Sequence, residues 1–280
     1  MSLEVLLVVL FAAVLHAGWN AMVRASSDKF VDTSLLVWGA GAWAACLLPF
    51  APLPATESWP YLAASVLIHV AYFTLVAFSY RGGDLSFVYP IMRGTAPVFS
   101  AIAAVFVLNE LPSPGGWAGI LLISSGIILL AGDSWRAGSF RPASALFALA
   151  NAAVIVLYTL VDAQGVRLSG HAFSYTGWMF LLTAALSSGV FLAVRGRRML
   201  RQVHSGWRKG MLGGACTLAS YCLALWAMTR APVAAVAALR ETSVVFAAIF
   251  AAFFLKETIS RLRYLSIMIV SAGAIAIKVY

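Results

Sequence analysis

The sequence contains few charged residues for a chain of its length. Asp, Glu, Lys and Arg make up 10% of the 280 residues, whereas a typical soluble domain contains about 25%. Hydrophobic residues make up 62%, and the mean hydropathy is +0.92. Because a soluble fold of this size needs more charge to cover its surface, the composition excludes a soluble globular protein. It predicts a polytopic membrane protein.

The sequence also lacks the motifs of several enzyme classes. Its three cysteines lie within apolar runs, without metal-ligand spacing or an even-numbered disulfide framework. It contains no P-loop, zinc-ligand pattern or nucleophile elbow, which argues against ATP hydrolysis and hydrolytic catalysis. An integral membrane enzyme acting on lipid would need clustered acids or histidines in an interfacial loop, and the sequence has none. We therefore predict that the protein is not an enzyme and binds no metal or cofactor.

Long apolar runs dominate the chain instead. A span in lipid must satisfy its own backbone hydrogen bonds, so it is a helix of about 20 residues or a strand of a closed barrel. The runs lack the alternation of barrel strands and predict an all-α protein with ten transmembrane helices. The first run lacks a basic leading segment and carries His16 and Asn20, so we expect helix 1 rather than a signal peptide. The predicted helices are 3–23, 32–51, 60–80, 86–108, 114–131, 141–162, 172–194, 207–229, 232–255 and 260–279.

The basic residues are unequally divided between the two sides of this predicted bundle. The loops after helices 1, 3, 5, 7 and 9 contain 14 of the 19 Lys and Arg residues, and the opposite side contains only Arg167, Arg230 and Lys278. By the positive-inside rule, the odd-numbered loops are cytoplasmic and both termini lie outside, in a bacterial inner (plasma) membrane. The net charge of +9 therefore predicts the lipid bilayer, and not nucleic acid, as a partner. The basic residues are most concentrated at 195–209, and an electrostatic lipid-binding patch is an alternative explanation for this segment.

The two halves of the sequence resemble each other. With a constant offset of 147, residues 93–110 (RGTAPVFSAIAAVFVLNE) align without gaps on 240–257 (RETSVVFAAIFAAFFLKE), and ten of the 18 positions are identical. Shared apolarity alone would not align Arg with Arg, Thr with Thr and Glu with Glu. The pattern indicates a duplication.

An odd number of spans in each half dictates how the halves are oriented. With five helices each, a first repeat at 1–131 and a second at 141–280 must enter the membrane in opposite directions. Inverted repeats of this kind build alternating-access transporters, with a substrate site near the midplane at the repeat interface. The alternative is a duplicated scaffold that has lost transport.

Two copies of a helix ending in L-x-E, followed by a short turn and a helix with late small residues, resemble the EamA family of the drug/metabolite transporter superfamily. The matching segments are PVFSAIAAVFVLNELPSPGGWAGILLISSGIILLAG and VVFAAIFAAFFLKETISRLRYLSIMIVSAGAIAIKV. The resemblance implies ten helices in two inverted five-helix repeats and a role in transport. It leaves the substrate open, because the superfamily moves amino acids, sugars, nucleotide sugars, triose phosphates and drugs. The stretch LHAGWNA of helix 1 resembles a subset associated with phosphonate use.

Arg93 and Arg240 are the two basic residues predicted inside helices. An arginine at such depth costs at least about 2.5–3.5 kcal/mol and usually faces a bundle interior or a water-filled cavity. Its planar guanidinium suits carboxylate, phosphate or phosphonate groups. One hypothesis is a clamp for an anionic or zwitterionic substrate, with one arginine from each repeat. The structural alternative pairs Arg240 with a buried acid and lets Arg93 bind carbonyl groups exposed by a helix kink.

Glu241 is the only acidic residue predicted well inside a helix. It is a candidate proton carrier, or the partner of Arg93 in a fixed ion pair between the repeats. Pro90 and Pro97 are seven residues apart on one face of helix 4 and flank Arg93. Each proline removes an intrahelical hydrogen bond and frees a carbonyl group that can line a cavity or allow bending.

Further polar and aromatic side chains lie at depth in other helices. Those on one face can shape a pocket and bind a substrate, although for each of them interhelical hydrogen bonding and packing are the alternative. The candidate substrate-binding residues, besides the two arginines, are His16, Trp19, Asn20, His69, Tyr72, Tyr89, Tyr158, Tyr221 and Trp226.

Glu110 and Glu257 match the family acid at the ends of helices 4 and 9. Ser113 and Ser260 have the spacing of N-caps for helices 5 and 10, so we expect each glutamate to meet the positive end of the helix that follows it. Their predicted role is structural. The glycine spacing of 206–210–214 favours close helix packing, and both a monomer and a homodimer remain open.

The leading functional hypothesis is a secondary transporter of a small polar metabolite that is anionic or zwitterionic, such as an amino acid, a carboxylate or a phosphonate. The alternative within transport is an exporter of drugs or hydrophobic cations. That mode favours a buried acid without basic partners, whereas here Arg outnumbers Glu two to one in helices 4 and 9. An integral membrane enzyme is less favoured, as is a channel or sensor.

Overall fold

The computed structural model describes residues 1–24, 26, 28–79, 85–130, 132, 142–196, 198–254 and 260–279. Within these ranges the chain is helical, with connecting turns and two short 3-10 segments, Leu48–Phe50 and Thr56–Ser58, and it contains no strand. The α-helices are α1 (Leu3–Arg24), α2 (Lys29–Leu47), α3 (Trp59–Ser79), α4 (Leu85–Val107), α5 (Pro114–Leu129), α6 (Pro142–Ser169), α7 (Ala172–Arg195), α8 (Arg198–Met228), α9 (Val233–Arg240), α10 (Ser243–Phe254) and α11 (Arg261–Val279).

The helices confirm the prediction of an all-α membrane protein. Eight segments of the described chain are long and apolar enough to cross a bilayer. One of them, Val233–Phe250, includes all of α9 and most of α10. The helix bounds agree with the predicted spans within a few residues, except that α6 and α8 are longer and that the ninth predicted span is interrupted.

The predicted helix 232–255 is divided into α9 and α10 at Glu241 and Thr242. At this point the backbone changes to tighter i→i+3 bonds, from Glu241 N to Ala238 O (3.0 Å) and from Thr242 N to Leu239 O (3.1 Å). The Thr242 hydroxyl also donates to Leu239 O (2.7 Å), which competes with the regular helical pattern. No proline or glycine marks the position, so the prediction of one continuous helix was wrong here.

Helices α5 and α11 occupy equivalent places in the two halves of the sequence, and they pack against each other. A Cβ atom added at Gly119 would lie 2.7 Å from Gly273 O, and one added at Gly126 would lie 3.2 Å from Ser266 O. The first part of α5 therefore contacts the last part of α11 and the reverse, so the two helices run antiparallel. With the offset of 147, Gly119 corresponds to Ser266 and Gly126 to Gly273, and the two contacts exchange under the repeat.

Helices α2 and α8 pack in the same close manner but run parallel. A Cβ atom added at Gly39 would lie 2.1 Å from Gly210 O, and one added at Gly214 would lie 2.3 Å from Ala40 N. Backbone thus meets backbone, as expected from the glycine spacing in α8. The short distances leave no room for a side chain on either helix at these points.

The connections between helices meet in two groups. In the first group, Glu110 follows α4, accepts a hydrogen bond from Val233 N at the start of α9 (2.7 Å) and forms an ion pair with Arg167 near the end of α6. In the second group, Arg195 at the end of α7 pairs with Asp28 before α2 (2.6 Å). The first group joins the segments that follow the predicted helices 4, 6 and 8. The second group joins the segments that follow the predicted helices 1 and 7.

The caps of the repeat-related helices agree with the sequence, but the partner of Glu110 does not. Ser113 accepts a hydrogen bond from Gly116 N (3.0 Å), and Ser260 accepts one from Arg263 N (3.3 Å). Glu110 binds the positive end of α9, in the other half of the chain, instead of the helix that follows it, because Ser113 already caps α5. Glu257 lies outside the described residues.

Candidate functional site

A band of polar side chains lies buried inside the bundle. Its charged members are Arg93, Arg240, Glu241 and Asp162, with 3%, 8%, 5% and 0% of their surfaces exposed. They come from α4, α6 and the break between α9 and α10, and they lie among His16 of α1, His69 of α3 and Tyr221 of α8. Charges are costly within the hydrocarbon region and face bundle interiors or cavities, so this band is the candidate site.

Arg93 and Glu241 form an ion pair between the two halves of the chain. Arg93 Nε lies 2.8 Å from Glu241 Oε2, and Arg93 Nη2 lies 3.1 Å from His16 Nε2. A guanidinium can only donate hydrogen bonds, so His16 accepts through Nε2 in this arrangement and its ring is neutral. The structure therefore contains the ion-pair alternative for Glu241, with His16 as a further ligand of Arg93.

Arg240 is adjacent to Glu241 in sequence but has a different environment. Its Cζ lies 5.1 Å from the centroid of the Tyr221 ring, and its Nε has no hydrogen-bond partner. Among the described residues, Arg240 forms no ion pair with any carboxylate. The structural alternative predicted from the sequence paired Arg240 with a buried acid. In the structure, Arg93 and not Arg240 forms that pair.

Asp162 is a second buried acid, which was not among the residues predicted from the sequence. Its Oδ1 accepts a hydrogen bond from the Tyr175 hydroxyl (3.0 Å), and its Oδ2 accepts one from the Tyr221 hydroxyl. The statement that Glu241 is the only acid well inside a helix was therefore wrong. The predicted helix 6 ended at Asp162, whereas α6 continues to Ser169. The apolar residues that follow Asp162 were the feature that could have extended the prediction.

Aromatic rings surround Tyr221 and connect the arginines to Asp162. The His69 ring lies 4.8 Å from Tyr158 and 5.5 Å from Tyr221 between centroids, and Tyr72 lies 5.5 Å from Tyr158. Tyr72 is within electrostatic range of Arg93, Arg240 and Glu241. His69 is within range of Asp162 and Arg240. Four of the candidate side chains from three helices therefore form one cluster.

Three other candidates lie apart from this cluster or turn towards their own helix. Asn20 donates to His16 O in α1 (2.8 Å), and Trp19 packs against the His16 ring at 4.9 Å. Trp226 stacks with Arg230, whose Cζ is 4.6 Å from its ring. Trp226 is five residues beyond Tyr221 and thus about 140° around α8 from it.

The prolines and the last tyrosine of the prediction all belong to α4. Pro90 and Pro97 lie inside the continuous helix and are buried, so α4 passes through both without the break seen between α9 and α10. The side chain of Tyr89 lies outside the described part of the structure. The roles of all these residues in transport stay predictions.

A bundle of apolar helices around a buried band of charges defines a multi-pass helical membrane protein. The chain belongs to the EamA-like transporter family, whose pattern matches residues 3–132 and 142–279. This confirms the family resemblance found in the sequence. A crystal structure of another protein superposes with a TM-score of 0.80, covering 99% of this chain and 97% of that chain at 17% identity, which supports the fold alone. No curated protein matches the sequence.

Proposed function

We propose that this protein is a secondary transporter that moves a small anionic or zwitterionic metabolite by alternating access between two inverted repeats. The observation that carries the proposal is Arg240, a buried guanidinium without an ion-pair partner among the described residues. A buried cation in the hydrocarbon region is costly unless a counter-charge reaches it. An anionic group on the substrate supplies that charge, and the site lies between residues from both halves of the chain.

The packing of α5 and α11 supports the inverted arrangement. These repeat-related helices run antiparallel in direct contact, as equivalent helices do when one half enters the membrane in the opposite direction. The break between α9 and α10 beside Arg240 gives further support, because interrupted helices form the binding sites of many inverted-repeat transporters. Two equivalent halves that meet at the site can exchange inward-open and outward-open shapes.

The proposed setting follows from the charges at the two ends. The odd-numbered loops are cytoplasmic, both termini are outside, and the membrane is the bacterial inner membrane. The contacts between segments after helices 4, 6 and 8, and those between segments after helices 1 and 7, agree with alternate crossings.

A second candidate function, export of hydrophobic cations, is favoured by one observation. Asp162 is a buried acid without a basic ion-pair partner among the described residues, which is the feature expected of a cation site. The aromatic rings beside it would suit an apolar cation. Arg240 opposes this candidate, because its positive charge lies against the same Tyr221 ring.

Uptake into proteoliposomes tests the proposed function. The panel contains L-alanine, propionate, aminoethylphosphonate, ethylphosphonate and the lipophilic cation tetraphenylphosphonium, each with and without a pH gradient. We expect uptake of an anion or zwitterion, and we expect Arg240→Ala to reduce it at least about tenfold, the contribution of one hydrogen bond to a charged group. Arg93→Ala is expected to lose transport as well, because it also removes the partner of Glu241.

Arg208→Ala is the matched control. Arg208 is an exposed residue in the first half of α8, and its loss should leave transport unchanged. Each variant is first shown to be folded by its elution profile in detergent. Arg240→Ala protein that is folded and transports anions normally would overturn the proposal. Uptake of the lipophilic cation alone would replace it with the second candidate.

A further inference from the structure

Asp162 is a buried charge that an anion transporter does not require. It is fully buried, and within the described residues no Lys, Arg or His forms an ion pair with it. Its two contacts are hydroxyl groups, from Tyr175 and Tyr221. A carboxylate has about four acceptor positions, so hydrogen-bonding capacity remains on both oxygens. Burying such a group without a cation is energetically unfavourable.

Arg240 is a buried positive charge that also lacks an ion-pair partner in the described chain. Within the same residues its Nε has no hydrogen-bond partner. Both groups contact one side chain, because Arg240 lies over the Tyr221 ring (5.1 Å from Cζ to the centroid) and Asp162 accepts from the Tyr221 hydroxyl. A single tyrosine therefore contacts a positive and a negative group, neither of which has an ion-pair partner in the described chain.

The neighbouring pair provides an internal contrast. Arg93 and Glu241 are also buried and opposite in charge, but they compensate each other directly at 2.8 Å. Asp162 and Arg240 form no such ion pair, and both contact Tyr221. The charges of the first pair are compensated within the protein, whereas Asp162 and Arg240 each lack an ion-pair partner in the described chain.

We infer that Asp162 and Arg240 form the two ends of one substrate site, in which Asp162 binds a cationic group and Arg240 binds an anionic group of the same molecule. Charge balance selects this class of ligand. A simple anion would leave Asp162 uncompensated, and a simple cation would leave Arg240 uncompensated, whereas a zwitterion compensates both. The substrate class is therefore a small zwitterion with an ammonium group, such as an amino acid or an aminophosphonate.

The aromatic side chains beside Asp162 suit the ammonium end. Tyr221 is in ring contact with His69 at 5.5 Å and with Tyr158 at 6.2 Å. The Tyr221 ring already lies against Arg240, so the neighbouring Tyr158 ring is the one that suits the ammonium group, since ring faces attract cations and more strongly when the site is desolvated. Tyr175 holds the other carboxylate oxygen from α7, so the orientation of Asp162 is fixed by two helices besides its own.

This inference rests on the proposed function, and matched pairs of substrates separate the two. L-alanine and propionate differ in the ammonium group, as do aminoethylphosphonate and ethylphosphonate. In proteoliposomes, we expect wild-type protein to prefer the aminated member of a pair. Asp162→Asn is expected to raise the KM for that member at least about tenfold, the contribution of one hydrogen bond to a charged group, without raising the KM for the member that lacks the ammonium.

Asp162→Glu keeps the charge and is expected to restore part of the preference for the ammonium group. Glu57→Gln is the control, because it removes an exposed acid far from the bundle interior. If Asp162→Asn does not fold, Tyr221→Phe removes one hydrogen bond to the same carboxylate and should weaken the preference while keeping the ring.

The outcomes are distinct. Wild-type transport of propionate or ethylphosphonate without preference for the aminated partner would overturn this inference and leave the proposed function intact. An Asp162→Asn variant that loses both members of a pair equally, or loses only the response to a pH gradient, would also overturn it, since the carboxylate would then serve coupling instead of substrate recognition. No uptake of any anion or zwitterion would overturn both proposals.

Discussion

Arg93 and Arg240 are equivalent in sequence, but they have different partners in the folded protein. Arg93 is held by Glu241 and His16, whereas Arg240 lies over the ring of Tyr221. The sequence predicted that both arginines are buried, because a charge inside an apolar run is visible without a structure. It did not predict which arginine pairs with Glu241, since that depends on how the helices are rotated against each other.

Removal of only one partner of the buried ion pair between Arg93 and Glu241 should strongly destabilise the protein. Removing one partner of a buried pair typically costs about 3–5 kcal/mol, because the other charge is left uncompensated. We therefore expect Glu241→Gln to lower the free energy of unfolding by that amount. Unfolding with SDS in mixed micelles, followed by circular dichroism, measures the change.

Two further variants serve as controls for this measurement. Glu57→Gln changes an exposed acid and should leave the free energy of unfolding within about 0.5 kcal/mol of wild type. The double variant Arg93→Met with Glu241→Leu removes both charges and should recover most of the loss. A Glu241→Gln protein as stable as the Glu57→Gln control would show that Arg93 does not depend on Glu241 for compensation of its charge.

The sequence predicted close helix packing at the glycines of α8 but not the break between α9 and α10. The close packing of α2 on α8 follows from glycines spaced four residues apart in α8, and the structure adds Gly39 of α2 as their partner. The division between α9 and α10 has no proline or glycine to predict it. Instead, Thr242 bonds to Leu239 O and Glu241 turns towards Arg93, so tertiary contacts decide where the helix is interrupted.

Gly214 is expected to tolerate no side chain. In Gly214→Ala, the new Cβ would lie 2.3 Å from Ala40 N and 2.4 Å from Gly39 C, and backbone atoms cannot move aside as a flexible side chain can. We expect a loss of about 1–3 kcal/mol in the free energy of unfolding, the range for overpacked interiors. The same SDS titration measures it.

Gly189→Ala serves as the matched substitution. Gly189 is also inside a helix, but an added Cβ meets nothing within 4 Å. Alanine there should be neutral or stabilising by up to about 1 kcal/mol, because glycine is a poor helix former. Equal effects of the two substitutions would contradict the packing of α2 against α8.

Glu110 joins the two halves of the chain at the level of helix ends. It accepts from Val233 N at the start of α9 (2.7 Å) and pairs with Arg167, which in turn donates to Met228 O (2.9 Å). Glu110→Ala removes both interactions and should cost about 1–2 kcal/mol in the free energy of unfolding, mainly through the lost cap.

The Glu110→Gln variant separates the two contributions. Its amide oxygen can still accept from Val233 N, but its charge is absent, so its loss in the SDS titration should lie between those of wild type and Glu110→Ala. If Glu110→Gln were as unstable as Glu110→Ala, the cap on α9 would contribute nothing, and the ion pair would account for the whole effect.

The molecule as a whole has one end at which the segments after predicted helices 4, 6 and 8 meet and another at which those after helices 1 and 7 meet. The N- and C-terminal segments also touch, since Lys278 Nζ donates to Met1 O (2.8 Å). Both termini thus lie at one end, as an even number of crossings requires. The distribution of basic residues then predicts which end faces the cytoplasm.

Cysteine labelling on intact cells tests this orientation. In a background in which Cys46, Cys216 and Cys222 are replaced by alanine, we expect Asn109→Cys and Arg230→Cys to react with a membrane-impermeant maleimide. His204→Cys should react only after the membrane is opened, because it lies in the basic segment predicted to be cytoplasmic. The reverse pattern would invert the topology while leaving the helices unchanged.

The sequence by itself determined the class of protein, nearly all the helices, the repeat and the burial of Arg93 and Arg240. It could do so because lipid requires contiguous apolar helices and makes each buried charge conspicuous. Only the tertiary structure decided that Arg93 pairs with Glu241, that Glu110 binds the helix of the other half, and that Asp162 lies against Tyr221 beside Arg240. These contacts join helices distant in sequence, and they depend on the rotation and packing of each helix, which composition and periodicity do not specify.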